Sequence, residues 1–169
     1  DSDALDPPGS LILDVRLPGA SGLDVQHRLA AGGNVKPIIF LTGHGDIPMT
    51  VQAMKAGAVD FLTKPVRDQA LLDAITVALE RDRSQRASAE VARCNAELSE
   101  TLTPRERDVL AQVVRGRLNK QIAYDLGISE VTVKLHRSNG LRKMRITSVG
   151  ALIRAWETLP GHLRGVEAH

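Results

Sequence analysis

The sequence predicts an α/β domain built on a partial, doubly wound parallel sheet, followed by a separate all-α domain of four helices. Three observations carry this. Short apolar runs alternate with helical patterns up to about residue 79, giving the order strand, helix, strand, helix, strand, helix of a crossover architecture. From Asp68 to Ser99 there is no glycine, and Arg, Glu, Ala and Ser dominate from Glu80 onward, which predicts a last sheet-packing helix continuing into a polar helical linker. The charge then changes sign: residues 1–100 carry 14 acidic and 10 basic side chains (net −4), and residues 101–169 carry 6 and 12 (net +6).

The first apolar run is Leu11-Ile12-Leu13, ending in Asp14; the second is Pro37 to Thr42; the third, Ala58 to Leu62, closes at Thr63-Lys64-Pro65. Runs without polar alternation belong to strands buried on both faces. Gly22 to Ala31 and Ile47 to Ala56 supply the intervening helices. The expected boundaries are therefore 1–79 for the α/β domain, 80–99 for the helical linker and 100–169 for the second domain.

That second domain starts at Thr103-Pro104-Arg105-Glu106, with threonine as N-cap, proline at the first helical position and glutamate three residues after the cap. Val109, Leu110, Val113 and Val114 give the helix one apolar face, and Gly116 ends it. A short helix spans Asn119 to Leu126, Gly127 makes a turn, and a longer helix capped by Ser129 runs to about Met144. The fourth, Ser148 to about Thr158, aligns Val149, Leu152, Ile153 and Trp156 in a stripe that fits intradomain core and a dimer contact equally.

A short helix, a glycine-containing turn and a longer basic helix describe a helix-turn-helix, whose second helix enters the DNA major groove. On that helix Val133, Leu141 and Met144 fall on the core stripe, while Lys134, Leu135, Arg137 and Ser138 lie away from it. Lysine donates to guanine, leucine contacts a thymine methyl and serine bonds either way, so Lys134, Leu135 and Ser138 are the candidates for base edges. Arg137, Lys143, Asn119, Lys120 and Thr132 are the candidates for phosphates, which fix register without reading sequence. Each alone is an ordinary surface residue; the set, on a capped frame in a basic segment, points to nucleic acid.

The single cysteine, Cys94, permits no intramolecular disulfide and reads as an inert helix residue. No apolar run approaches the roughly 18–20 residues of a membrane span, so a cytoplasmic protein is expected. The chain opens with Asp1-Ser2-Asp3 and without methionine, and is expected to begin inside a longer reading frame.

Leu102 to Leu110, Asn119-Lys120-Gln121-Ile122-Ala123, Ile128-Ser129 and Thr132 to Asn139 closely resemble the LuxR-type DNA-binding domain, over about residues 100–158. The resemblance implies a four-helix domain that binds DNA as a homodimer, its last helix contributing to the dimer contact. It departs at Gly140, where the family carries a bulky apolar residue. Glycine there is expected to cost about 1 kcal/mol in helix propensity and to leave a side-chain hole, giving a less stable but folded domain.

Leu13-Asp14-Val15-Arg16-Leu17-Pro18 with Gly22, then Leu41-Thr42-Gly43-His44-Gly45-Asp46, Ala53 to Ala58, and Lys64-Pro65 resemble the receiver domain of two-component response regulators. Together the two domains are similar to the FixJ/NarL class. By that resemblance Asp14 is the phosphoacceptor served by a histidine kinase, Thr42 bonds the phosphoryl group, Lys64 pairs with it, and Phe61 is the switching aromatic. The site also makes sense by itself. An aspartate at the carboxyl end of a parallel strand stands where open α/β sheets build sites, and a nearby lysine stabilises added negative charge. His44, between two glycines, reads as a loop residue.

Receivers begin with a strand ending in paired acidic residues that hold magnesium, and this chain starts after it. Asp1, Asp3 and Asp6 precede the phosphoacceptor strand and do not substitute. Asp14 and the backbone carbonyl of Arg16 are what remains of the implied magnesium set, so inefficient phosphorylation is expected, together with an open apolar sheet edge prone to aggregation or pairing. The reading is a transcription regulator, not an enzyme, controlled by aspartyl phosphorylation. The alternative is a phosphorylation-independent DNA-binding regulator whose first domain serves dimerisation or protein interaction. A small α/β enzyme using Asp14, Thr42, Lys64 and His44 is disfavoured, because the sequence offers no nucleophile–base pair, metal cluster or phosphate-binding glycine loop.

Overall fold

The structure, a computed structural model, describes residues 7–17, 20–32, 36–43 and 47–164. Of the residues singled out above, Asp1, Asp3, Asp6, Pro18, His44, Gly45 and Asp46 lie outside that range. The chain divides into two compact units, Asp1–Ala87 and Ser88–His169.

The first unit runs β1 (Leu11–Asp14), β2 (Arg16–Leu17), β3 (Ala20–Ser21), α1 (Gly22–Ala31), β4 (Ile38–Thr42), α2 (Ile47–Lys55), β5 (Asp60–Thr63) and the first part of α3 (Asp68–Glu100). The segment expected as a linker is thus the later part of one uninterrupted helix. β1, β4 and β5 form a parallel sheet in the order β1-β4-β5. Central β4 explains its own unbroken apolar run. Ile38 and Phe40 pack with Val15, Leu23 and Ala53, while Ile39, on the opposite face, meets Ala74 and Ala78 of α3. β1 pairs only with β4 among the described residues, and Ile12 is exposed.

Local chemistry sets the start of α1 beside the end of β1. Ser21 Oγ accepts from the Leu23 N–H at 3.2 Å, and Asp24 Oδ2 accepts from the Ser21 N–H at 3.3 Å, a capping box. Gly22 donates its N–H to the Val15 carbonyl at 2.9 Å; a Cβ at this position would lie 2.5 Å from the Asp14 carbonyl oxygen, so only glycine allows the approach. Buried Gln26 then ties α1 to the end of α2 by donating from Nε2 to the Ala53 and Ala56 carbonyls at 3.3 and 3.0 Å. On α3, Asp82 accepts from the Gly9 N–H and from Arg86 Nε, both at 3.0 Å, securing the approach to β1.

The second unit holds α4 (Pro104–Val114), α5 (Asn119–Leu126), α6 (Glu130–Lys143) and α7 (Val149–Glu157). Leu102, Val109, Leu110, Ile122, Val133, Met144, Leu152 and Trp156 belong to one buried core. The caps the sequence predicts are present, Thr103 with Glu106 for α4 and Ser129 for α6, with Gly127 left-handed at φ 64° after α5; the structure adds Ser148 as the cap of α7. Two expectations change. Leu152 and Trp156 are core, whereas Val149 is exposed and Ile153 half-buried, so intradomain core accounts for only part of the α7 stripe. And Gly140 leaves no hole, because the Leu110 side chain occupies the space; a Cβ on residue 140 would lie 2.9 Å from Leu110 Cδ1 and 3.1 Å from Cγ.

Candidate functional site

The carboxyl ends of the three strands assemble the first site. Parallel register sets Asp14 beside Leu41 and Thr42 beside Thr63. The Lys64 N–H donates to the Thr42 carbonyl at 2.7 Å, which carries Lys64 to the end of β4. From there its ammonium reaches Asp14 Oδ2 at 2.7 Å, while Asp14 Oδ1 accepts from the Arg16 N–H at 3.0 Å. The Lys64 ammonium first, and the Arg16 N–H second, hold the Asp14 carboxyl below its ordinary value. The result is an ionised carboxylate at neutral pH on a solvent-accessible corner.

Thr42 ends β4 with its side chain buried. Phe61 is half-buried one strand away, opposite Phe40, with the ring centroids 6.2 Å apart and the planes at 47°. The structure therefore brings Asp14, Lys64 and the Arg16 backbone into direct contact and stations Thr42 and Phe61 on the adjoining strands.

A magnesium ion takes six oxygens in near-octahedral geometry, commonly from one or two carboxylates with waters and phosphate oxygens. Among the described residues no group of three or more His, Cys, Asp or Glu side chains could hold a metal. The Asp14 carboxylate, already paired with Lys64, and the Arg16 carbonyl are a partial set that does not hold the ion unaided, so no step below runs through it.

The second site lies on α5 and α6. Lys134, Leu135 and Ser138 are exposed on α6, Leu135 to 58 % despite its apolar side chain, while Val133 on the same helix is fully buried. Arg137 Nη1 donates to Asn119 Oδ1 at 3.1 Å, linking two of the predicted phosphate contacts across the two helices. Thr132 shares a 2.8 Å hydroxyl contact with Ser129, and Lys120 is exposed on α5. Lys143 is placed differently from the rest. Its ammonium is turned into the domain, 2.6 Å from Glu106 Oε2 and 3.2 Å from the Thr101 carbonyl.

Sequence reasoning found Glu106 as part of a capping box but not as the partner of Lys143, 37 residues away. Burial pushes the Glu106 carboxyl up, but the Lys143 ammonium and the Thr103 N–H together outweigh it, and the net direction is down. A depressed folded-state value contributes stability that is present above the unfolded value, about 4.3, and is lost as pH falls through the folded value. Glu106→Gln is therefore expected to lower the stability of this unit by about 1–3 kcal/mol at pH 7 and to flatten its acid dependence below about pH 4.5. Urea titrations followed by fluorescence of the sole tryptophan, Trp156, check this; an unchanged acid profile would remove Glu106 from the account.

Comparison with known proteins agrees with both units. Residues 4–76 match the response regulator receiver domain family, and residues 100–155 match the bacterial regulatory proteins of the luxR family. The chain is similar to Nodulation protein W of Bradyrhizobium diazoefficiens, 55% identical over 154 residues that cover 91% of this chain and 68% of that protein. It is also similar to Response regulator protein TodT of Pseudomonas putida, 54% identical over 155 residues, 92% of this chain and 68% of that one. Among solved structures, that of response regulator StyR superposes with a TM-score of 0.72 at 48% identity, covering 90% of this chain and 77% of its own. No helix among the described residues is long and apolar enough to cross a membrane. A receiver sheet with an aspartate–lysine corner, followed by a capped helix-turn-helix and matched in that order by both families, places the chain among the FixJ-type two-component response regulators, which regulate transcription by binding DNA under the control of phosphorylation.

Proposed function

We propose that Asp14 is the residue that receives the phosphoryl group, from a histidine kinase, and that Lys134, Leu135 and Ser138 read the DNA. The observation that carries this reading is the 2.7 Å contact of Lys64 with an ionised Asp14 at the carboxyl end of the sheet. A carboxylate oxygen attacks phosphorus, the bond from phosphorus to the kinase imidazole breaks, and the imidazole nitrogen keeps the electron pair. Lys64 then exchanges its carboxylate partner for a phosphoryl oxygen, Thr42 donates its hydroxyl to another, and Phe61 repacks on β5. Magnesium at this corner would take the Asp14 carboxylate and the Arg16 carbonyl and would supply positive charge against the transferred group. The chain turns over no substrate of its own, and it works where kinase and chromosome meet, in the cytoplasm.

On the DNA side, Arg137, Asn119, Lys120 and Thr132 hold phosphates, and Lys143 supports them from within the domain through Glu106. The exposed Val149 and half-buried Ile153 of α7 supply the contact of a homodimer on paired half-sites. The partial magnesium set favours one second reading, a constitutive DNA-binding regulator.

Anisotropy titrations of the chain on duplex DNA across a salt series, with and without beryllofluoride and magnesium, separate the two. The proposal expects log affinity to fall linearly with log salt, a slope reduced by about one in Lys120→Ala, and tighter binding with beryllofluoride. Lys134→Ala is expected to cost about 1–3 kcal/mol on the preferred site and to relax base preference. Binding indifferent to beryllofluoride supports the constitutive reading, and binding without salt dependence rejects both.

A further inference from the structure

We propose that Val131 is a further specificity-determining residue, which together with Leu135 reads the C5 methyl groups of two neighbouring thymines in the DNA major groove. This rests on the reading of α6 as the helix that enters that groove. Val131, Lys134, Leu135 and Ser138 stand at i, i+3, i+4 and i+7, the spacing that aligns side chains on one face of a helix. The last three are the base readers proposed above, so Val131 extends their face by one turn toward the start of α6. Nine residues, two and a half turns, separate Val131 from Gly140, which therefore lies on the opposite side of the helix and is buried there, as Val133 is.

Val131 is 76% exposed and Leu135 58%. One exposed apolar side chain is ordinary, but two at i and i+4, on the face that carries Lys134 and Ser138, form a patch that packing within the unit leaves unused. Local structure does not call for valine at this position either. The cap of α6 is the Ser129 hydroxyl, which accepts from the Thr132 N–H at 3.1 Å, and Thr132 turns its own hydroxyl toward Ser129. A β-branched side chain is a poorer helix former than alanine. The groove supplies the missing reason. The first residues of a recognition helix are the ones that meet base edges, and the thymine methyl is the apolar group displayed there. Four residues of α-helix rise about 6 Å, against about 3.4 Å for one base step, so the two methyls lie within about two steps of each other.

The test uses a duplex enriched by the chain from a randomised library, remade with uracil in place of each thymine in turn. Uracil lacks the methyl and keeps every hydrogen-bonding group, and anisotropy titrations read the affinity. The expected result is a loss of about three- to tenfold at two thymines that lie within about two steps of each other. In Val131→Ala the penalty at one of them falls below about twofold while the other persists, and in Leu135→Ala the pattern is reversed. Both variants bind the unsubstituted duplex about three- to tenfold more weakly, with an unchanged salt slope. Alanine is the better helix former, so urea denaturation of Val131→Ala shows no loss of stability that could account for the weaker binding. Indifference to uracil at every thymine, or the same penalties in Val131→Ala as in the parent chain, overturns the proposal. Salt-dependent binding of the unsubstituted duplex then leaves the reading of α6 standing, and its absence removes both.

Discussion

Asp14→Asn will abolish labelling by acetyl phosphate, read as complete loss of the phosphoryl mass increment. An amide does not attack phosphorus, and the proposal assigns that attack to the ionised Asp14 carboxylate, which is held by Lys64 and the Arg16 N–H. The substitution keeps Oδ1 as acceptor for Arg16, so the corner stays folded and DNA binding without beryllofluoride persists. Lys64→Met retains most of the side-chain stem and removes the ammonium 2.7 Å from Asp14. It is expected to slow labelling roughly ten- to a hundredfold, the worth of a hydrogen bond to a charged group, while letting the Asp14 carboxyl rise toward its ordinary value. Lys64→Arg, which keeps the charge on a different frame, falls between them. Label that survives in Asp14→Asn, or a rate indifferent to Lys64→Met, would move the phosphoacceptor elsewhere.

Gly140→Leu, which installs the kind of residue the LuxR-type family carries there, will destabilise the second unit rather than strengthen it. Leucine has the better helix propensity by about 1 kcal/mol, but its side chain would enter space that Leu110 fills to within 2.9 Å of the position of a Cβ. Overpacking of a closed core costs about 1–3 kcal/mol and sometimes more, and Leu110 is fully buried with no exit to solvent. Leu110→Ala alone opens a cavity at about 2–5 kcal/mol. The two together exchange one leucine for another across the α4–α6 contact, and the double variant is expected to recover most of the loss. A double-mutant cycle by urea denaturation reads the coupling. Gly140→Leu that stabilises without Leu110→Ala would mean that the space is empty after all.

Both substitutions show where the sequence is legible and where it stops. The apolar runs before Asp14 and Thr42, the threonine and serine caps at 103 and 129, the glycine turn at 127 and the apolar stripe from Val149 to Trp156 are local patterns, and they locate β1, β4 and the four helices of the second unit to within a few residues. The aspartate of the first site is equally visible, because parallel strands deliver their carboxyl-terminal residues to one edge, and Thr42 and Lys64 are found through the resemblance to receiver domains. What local pattern does not hold is which distant side chain answers which. The unbroken apolar run at β1 reads as doubly buried, but Ile12 is exposed on the edge strand. Gly140 looks like a deletion until Leu110, thirty residues earlier, is found in its place. Lys143 looks like a phosphate ligand until Glu106 is found beneath it. The Ser21–Asp24 capping box comes from the structure alone, since it follows a two-residue pairing of β2 with β3 too short to leave a pattern.

The pairing of Glu106 with Lys143 bears on how this sequence can drift. One carboxylate oxygen serves two masters: Glu106 Oε2 accepts from the Lys143 ammonium at 2.6 Å and from the Thr103 N–H at 2.9 Å. Exchanging the two charges would restore an ion pair but leave the first turn of α4 without its acceptor. Lys143 can give way to any side chain long enough to donate, whereas Glu106 can be replaced only by another acceptor of its reach. Substitutions at the two positions are therefore coupled in one direction, and a lineage that changes Lys143 first remains viable where one that reverses Glu106 does not.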